Sequence, residues 1–295
     1  MRMAAPGIRN RLFGFVAEHY PTERVGDRGA VGALWRVLFY TILPTEPFVM
    51  RTAHYRAWVH PKKGNLSRAL IRRGNWEPPV TRVFVDRLAP GQLVVDGGAN
   101  FGHFSLVASK MVGATGRIVA FEPEAKTFAQ LQANVALLSI PNVTAERAGL
   151  SDVDGMLALT RDAHNPGGHS FIAANVREAG VSEAVPIHRL DTYLAGEPRK
   201  LGVLKLDVQG FEQRLITGAA QRIARDRPVI FCEVWPKGMV AAGDNAGTFL
   251  QQIQDFGYRL GVIEPGGVRT VNVDEALALS DGPHHDHADF VFDPV

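Results

Sequence analysis

Cysteine is almost missing from this chain. Cys232 is the single one among 295 residues, which excludes an internal disulfide framework and suits a reducing cytosol, so a cytoplasmic location is expected. It falls inside the apolar run Val229–Val234, where a buried, inert thiol is expected rather than a nucleophile. Charge of one sign is lacking too. The net charge is +2, which gives no strong general attraction for nucleic acid, and none is expected as a partner. Long hydrophobic runs are absent, so no membrane span is expected. The most apolar early stretch, Val31–Leu43, is short and carries Arg36. It reads as a packed amphipathic helix, with an interfacial membrane helix as the alternative. The arginines near the start precede no uninterrupted apolar core, so no secretory signal is expected. Spaced metal ligands are wanting as well. His284-His285-Asp286-His287 comes nearest, but adjacent side chains on an extended chain point to opposite sides. No second ligand set is spaced for zinc, and no metal is expected.

What is present is organised around Leu93-Val94-Val95-Asp96-Gly97-Gly98-Ala99-Asn100-Phe101-Gly102. Leu93 to Val95 make the short apolar run of a parallel-sheet strand. Asp96 sits where that strand ends, and in open α/β sheets ligands lie outside the carboxyl ends of the strands. Gly97, Gly98 and Gly102 let the backbone turn sharply and let a ligand come close. Phe104, Val107 and Met111 then mark one helical face. The loop is a near miss to a dinucleotide fingerprint, with Ala99 in place of the glycine that admits a pyrophosphate. A carboxylate at the strand end repels a pyrophosphate and favours an ammonium or sulfonium. S-adenosylmethionine carries those groups and no phosphate. The second strand, Ile118–Phe121, ends on Glu122, 20 residues beyond Gly102. An acid at that offset commonly holds a ribose diol, which supports both S-adenosylmethionine and NAD.

Asp96-Gly97-Gly98-Ala99-Asn100-Phe101-Gly102 resembles the D-x-G-A-N-x-G loop of the FkbM family of S-adenosylmethionine-dependent methyltransferases. Ala120-Phe121-Glu122-Pro123 resembles that family's A-F-E-P signature, and Leu190-Asp191-Thr192-Tyr193-Leu194 its LD-x-x-L segment. Lys205-Leu206-Asp207-Val208-Gln209-Gly210-Phe211-Glu212 resembles its K-x-D-x-E-G-x-E motif, departing at Gln209 where the family usually has glutamate. The resemblance covers roughly residues 75–235, and Trp76-Glu77-Pro78-Pro79 resembles the segment that precedes the family's catalytic domain. It implies S-adenosylmethionine as cofactor, held by Asp96, Gly98, Asn100, Gly102, Glu122 and Pro123, with Ser151 and Asp152 beside the adenine. It also implies methyl transfer to a hydroxyl of a sugar, glycan or secondary metabolite. Asp207 is the expected base or acceptor-orienting group, with Glu233 and Lys205 as second choices. Asp207 could equally contact the cofactor's ammonium. The alternatives are an NAD-dependent oxidoreductase and a non-catalytic methyltransferase-like scaffold.

The expected fold is a Rossmann-like α/β methyltransferase sheet, mostly parallel with an antiparallel C-terminal strand and helices on both faces. An N-terminal extension over 1–75 is expected on the substrate side of a catalytic domain over 76–295. Within the extension, Phe48–Val59 reads as extended. The stretch Arg51–Arg73 holds seven Lys/Arg and no acid, either a solvated basic face or a surface for an anionic acceptor. Further on, Val143–Leu150 reads as a third strand, and Val203–Asp207 as the next core strand, followed by a helix whose apolar face is Phe211, Leu215, Ala219 and Ile223. Met156–Thr160 and Ser170–Ala173 read as a hairpin whose long connection contains His164 and His169. Phe249 to Phe256 read as a last helix, with antiparallel strands at Tyr258–Glu264 and Ala288–Phe292.

Overall fold

The computed structural model describes residues 43–61, 69–71, 74–139, 141–162, 168–281 and 286–295, with the isolated positions 12, 37, 41 and 67. Most of the expected Val31–Leu43 helix, and His164, His284 and His285, lie outside these residues. So do five of the seven basic residues between Arg51 and Arg73; the other two, Arg51 and Arg56, are exposed. Among the described residues no helix is long and apolar enough to cross a membrane. The chain divides into two compact units, 1–78 with 136–138, and 79–135 with 139–295. In the first, β1 (Phe48–Arg51) and β2 (Arg56–Val59) pair antiparallel, Phe48 opposite Val59. Thr52 closes their turn by accepting from Tyr55 N and donating to Tyr55 O.

The second unit is built on an eight-stranded sheet. In chain order its elements begin α1 (Pro78–Asp86), β3 (Leu93–Gly97), α2 (His103–Val112), β4 (Arg117–Phe121), α3 (Ala125–Val135) and β5 (Val143–Glu146). Then come β6 (Gly149–Leu150), β7 (Gly155–Asp162), β8 (Ala179–His188), α4 (Leu190–Tyr193), β9 (Leu201–Leu206), α5 (Glu212–Gly218), α6 (Ala220–Asp226) and β10 (Val229–Val234). The chain closes with α7 (Pro236–Ala241), α8 (Ala246–Asp255), β11 (Tyr258–Glu264), β12 (Gly267–Thr270), α9 (Val273–Ser280) and β13 (Ala288–Pro294). The sheet order is β12-β11-β13-β10-β9-β3-β4-β5. The strands from β10 to β5 run parallel, and β13, β11 and β12 pair antiparallel. Building outward from β3, the chain first adds β4 and β5 on one side and then returns to add β9 and β10 on the other. That reversal makes the carboxyl ends of β3 and β9 a switch point, the crevice where such sheets take ligands.

Both faces are covered, which is why the central strands read as continuous apolar runs. Leu93, Val95, Val119, Leu204, Leu206, Leu215, Ile223, Phe249 and Phe292 share one buried core. On the opposite face, Phe84 of α1 meets Phe104 of α2 edge-on at 5.1 Å and Phe231 of β10 at 5.3 Å.

Four expectations need correction. Val143–Leu150 is not one strand. β5 ends at Glu146, and β6 leaves the sheet to pair with β8, Gly149 opposite Ile187. A side chain at Gly149 would strike the Phe171 ring at 2.5 Å, so glycine lets that ring approach. Met156–Thr160 pairs with β8 rather than with Ser170–Ala173; Thr160 and Ser170 form only a bridge. The helix after Asp207 is two, because the chain turns at Ala219. The helix ending at Asp255 is followed by another, α9, and β12 adds a third antiparallel strand.

Candidate active site

Strand alternation assembles the site. In-register neighbours share a face, and every second residue returns to it. Asp96 of β3 is in register with Lys205 of β9, which is in register with Phe231 of β10; Val291 of β13 completes the row. Two residues further toward the carboxyl edge come Asp207, Glu233 and Asp289. Glu122 holds the same relation to Ala120, the β4 partner of Asp96. The four acids at strand ends, Asp96, Glu122, Asp207 and Glu233, therefore do gather on one edge.

The loop between β3 and α2 closes against β9. Gly98 has φ +78, and a side chain there would stand 1.9 Å from the Asp207 carbonyl oxygen. Only glycine permits both. Asn100 is also left-handed, at φ +52, a conformation asparagine tolerates better than most residues. Its N–H donates to Glu122 Oε2 at 2.9 Å, which ties the loop to the end of β4. Glu122 Oε1 accepts from Glu124 N at 2.9 Å. Burial nonetheless pushes the Glu122 carboxyl up to about 8, against the pull of those two backbone donors. Gly102, at φ +101, packs closely on Leu131.

Asp96 is almost wholly buried. One oxygen accepts from Ser105 Oγ at 2.6 Å, and the other has no hydrogen-bond partner. Burial raises its pKa, opposed by the Lys205 charge and the Ser105 hydrogen bond. Lys205 is buried as well. Its Nζ lies 3.4 Å from Asp207 Oδ2 and 4.5 Å from the centre of the Phe104 ring. Gln209 Nε2 lies 3.3 Å from Asp207 Oδ1. Asp207 is the open member of this group, with a side chain 34% exposed against 7% for Lys205.

The remaining expected residues are spread around these. Glu233 Oε2 is 3.9 Å from His287 Nε2, and His287 Nδ1 is 3.1 Å from Asp286 Oδ1. Among the described residues no cluster of ligands could hold a metal ion. Pro123 follows Glu122 directly out of β4. Ser151 is buried and donates to Asp152 Oδ1 at 2.9 Å. A side chain on Gly97 would lie 3.4 Å from Leu150, the residue before that corner. His169 accepts from Asp162 N at 2.9 Å, and burial lowers its pKa. Cys232 is buried, and burial pushes its thiol well up.

Ser105, Asn175 and Asp289 are not among the expected site residues, and Glu212 is expected only as the last residue of the Lys205–Glu212 motif. Asp289 was legible as an acid directly before the apolar run Phe290–Phe292 of β13. Glu212 is buried, one of its oxygens lacks a hydrogen-bond partner, and burial pushes it up to about 7. Asn175 carried no local signal, since its partners lie 34 and 63 positions away; Ser105 lies only nine positions beyond its partner Asp96.

The doubly wound sheet and its antiparallel end make a Rossmann-like fold, with an acidic crevice at the switch point on its carboxyl edge. The model of the methyltransferase FkbM domain matches residues 96–260, and the chain belongs to that family. A curated relative, "Methyltransferase 1" of Beauveria bassiana, is 29% identical over 160 residues. That match covers 46% of this chain and 64% of the relative. Solved structures that match include an FkbM methyltransferase from Methylobacillus flagellatus (12% identity, TM-score 0.41, 76% of this chain and 60% of that one). An rRNA methylase from Streptococcus thermophilus matches at 9% identity and TM-score 0.43, over 73% and 94% of the two chains. Fibrillarin from Aeropyrum pernix, with bound S-adenosyl-L-methionine, matches at 13% and 0.40, over 83% and 82%.

The residues present fit that cofactor. The partnerless Asp96 oxygen has capacity for a buried donor, which the cofactor's ammonium would supply. Each Glu122 oxygen takes one backbone N–H and keeps capacity for a ribose hydroxyl. A diphosphate suits neither carboxylate.

Proposed function

We propose that the protein transfers a methyl group from S-adenosylmethionine to a hydroxyl oxygen of a sugar, glycan or secondary metabolite. Asp96 and Glu122 hold the donor, together with the backbone at Gly98, Asn100 and Gly102. Pro123, and the corner at Ser151 and Asp152, border its adenine. When bound, the cofactor would supply an electrophilic methyl on a sulfonium. The protein's own work is then alignment and removal of the acceptor's proton. Asp207 takes that proton. The observation that supports this assignment is its placement: exposed on one side, it meets the Lys205 ammonium on the other. An ammonium at 3.4 Å orients a carboxylate while leaving lone pairs for a hydroxyl. Glu233 and Lys205 are second choices for the proton acceptor. Lys205 serves better as the partner of Asp207, and Glu233 lies on the side of His287.

Calorimetric titration with S-adenosylhomocysteine and with NAD tests the donor. Binding of the first and not the second is expected; the reverse ends the reading in favour of an oxidoreductase, and binding of neither favours a scaffold. A labelled-methyl screen over sugars, nucleotide sugars, polyketides and RNA oligonucleotides tests the acceptor. With an acceptor found, Asp207→Asn should lower kcat by about 10²-fold or more. Donor affinity should stay within about threefold, well under 1.4 kcal/mol. A variant that lost donor binding and kept kcat would move Asp207 to the cofactor.

A further inference from the structure

We propose that Gln209 is a positioning residue: its amide and the Lys205 ammonium clamp the two oxygens of Asp207 so that the carboxylate faces the acceptor hydroxyl. The consequence for catalysis rests on the assignment of Asp207 above; the clamp itself does not.

Each Asp207 oxygen has its own donor. Lys205 Nζ stands 3.4 Å from Oδ2, and Gln209 Nε2 stands 3.3 Å from Oδ1. An ionised carboxylate only accepts, so the amide group turned toward it is the NH₂. Gln209 is held there at a conformational cost. Its φ of +52 is a left-handed conformation that an unbranched non-glycine residue adopts rarely. The connection between β7 and β8 stabilises that conformation. Ser170 Oγ at 3.2 Å and Asn175 Nδ2 at 3.0 Å both donate to the Gln209 carbonyl. Asn175 Nδ2 also reaches the Gly238 carbonyl at 3.0 Å, which anchors the same segment to α7. The following residue, Gly210, is left-handed too, and a side chain on it would lie 2.5 Å from Asn175 Nδ2. A solvated loop glutamine would need none of these contacts.

The surroundings make the donor matter. The charge of Asp207 is felt by Asp96 on β3, Glu122 on β4, Glu212 on α5, Cys232 on β10 and Asp289 on β13. Lys205 is the cation facing it. A glutamate at position 209, as in the family motif, would add a further like charge where this chain places a hydrogen-bond donor. The substitution thus reverses the sign of one contact to the proton-accepting group.

The test is carbon NMR of the full chain labelled at aspartate Cγ, with the Asp207 resonance assigned by its loss in Asp207→Asn. Two variants are read. Gln209→Gly removes the amide and suits the left-handed turn, so it folds. Gln209→Glu replaces the donor with a charge. The Asp207 titration midpoint should rise by about one pH unit in Gln209→Gly and further in Gln209→Glu. S-adenosylhomocysteine affinity of Gln209→Gly should stay within about threefold of the parent. A midpoint unmoved in Gln209→Gly overturns the clamp, whatever the Glu variant shows. Loss of S-adenosylhomocysteine binding in Gln209→Gly overturns it also, by placing the residue in the donor site. If Asp207→Asn keeps full turnover, Asp207 is not the base, and the NMR titration still decides whether Gln209 holds it.

Discussion

Asp96 is a carboxylate with one oxygen satisfied and one not. Ser105 and the Lys205 charge oppose part of the cost of burying it, and the remaining oxygen has no hydrogen-bond partner. A charge-assisted hydrogen bond to a buried group is worth roughly 1.5–3 kcal/mol. Asp96→Asn should therefore weaken S-adenosylhomocysteine binding by about tenfold or more, read by calorimetry. The variant keeps an acceptor for Ser105, so folding is not the target. Glu122 makes a second residue-scale prediction. Its carboxyl is pushed up to about 8 by burial, so near neutral pH it is largely protonated before the donor arrives. Ribose hydroxyls are held better by the ionised form. Donor affinity should thus rise from pH 6.5 to 8.5 and then level off, with proton uptake by the buffer on binding at pH 7. Equal affinity across that range would remove the ribose role. The identity of both acids was legible, because each closes an apolar strand run. Their protonation was not, because it depends on what the fold packs around them.

At the scale of elements, the family's LD-x-x-L segment turns out to do structural work. Asp191, on α4, accepts from Gln221 N at 3.0 Å and Arg222 N at 2.9 Å. Those are orphan donors in the first turn of α6, where a negative charge also meets the positive end of the helix dipole. The chain turns at Ala219 between α5 and α6, and no residue next to that turn supplies a side-chain cap. A cap borrowed from a separate element replaces it. Asp191→Ala should cost about 1 kcal/mol in chemical denaturation, with donor affinity unchanged. The splitting of one expected helix into α5 and α6 was hidden for the same reason. Phe211, Leu215, Ala219 and Ile223 keep one apolar stripe across both. Packing beside the break is close, since a side chain on Gly218 would stand 1.9 Å from the Ser151 carbonyl oxygen.

At the scale of the whole molecule, three buried carboxyls share one electrostatic direction. Burial raises Asp96, raises Glu122 to about 8 and raises Glu212 to about 7. The folded chain then holds more protons than the unfolded one above the ordinary carboxylate range. Stability from these groups is present below their unfolded values and is lost as pH rises through the folded ones. The lowered acids Glu183, Glu197 and Asp226 have finished titrating by then. His169, lowered by burial, opposes the trend only below its ordinary value of 6.5. The Tm of the donor-free protein should therefore fall between pH 6.5 and 8. Saturation with S-adenosylhomocysteine should flatten that fall, because the donor favours the ionised carboxylates. Differential scanning fluorimetry across that range checks both.

The amino-acid sequence by itself determined the central strand, the glycine turn after it, the acids that close the parallel strands and the family these place the chain in. Those features are local: strand runs, chain-reversing glycines and offsets between neighbours are written within a few tens of residues. Only the tertiary structure decided that Asp96 and Lys205 stand side by side, that Asp207 takes a donor on each oxygen, and that β6 leaves the main sheet for β8. It also decided that Asn175 holds Gln209 from 34 positions away. Register, burial and hydrogen-bond satisfaction are properties of which strands become neighbours. No spacing along the chain encodes them, because the partners meet only after the sheet has doubled back on itself.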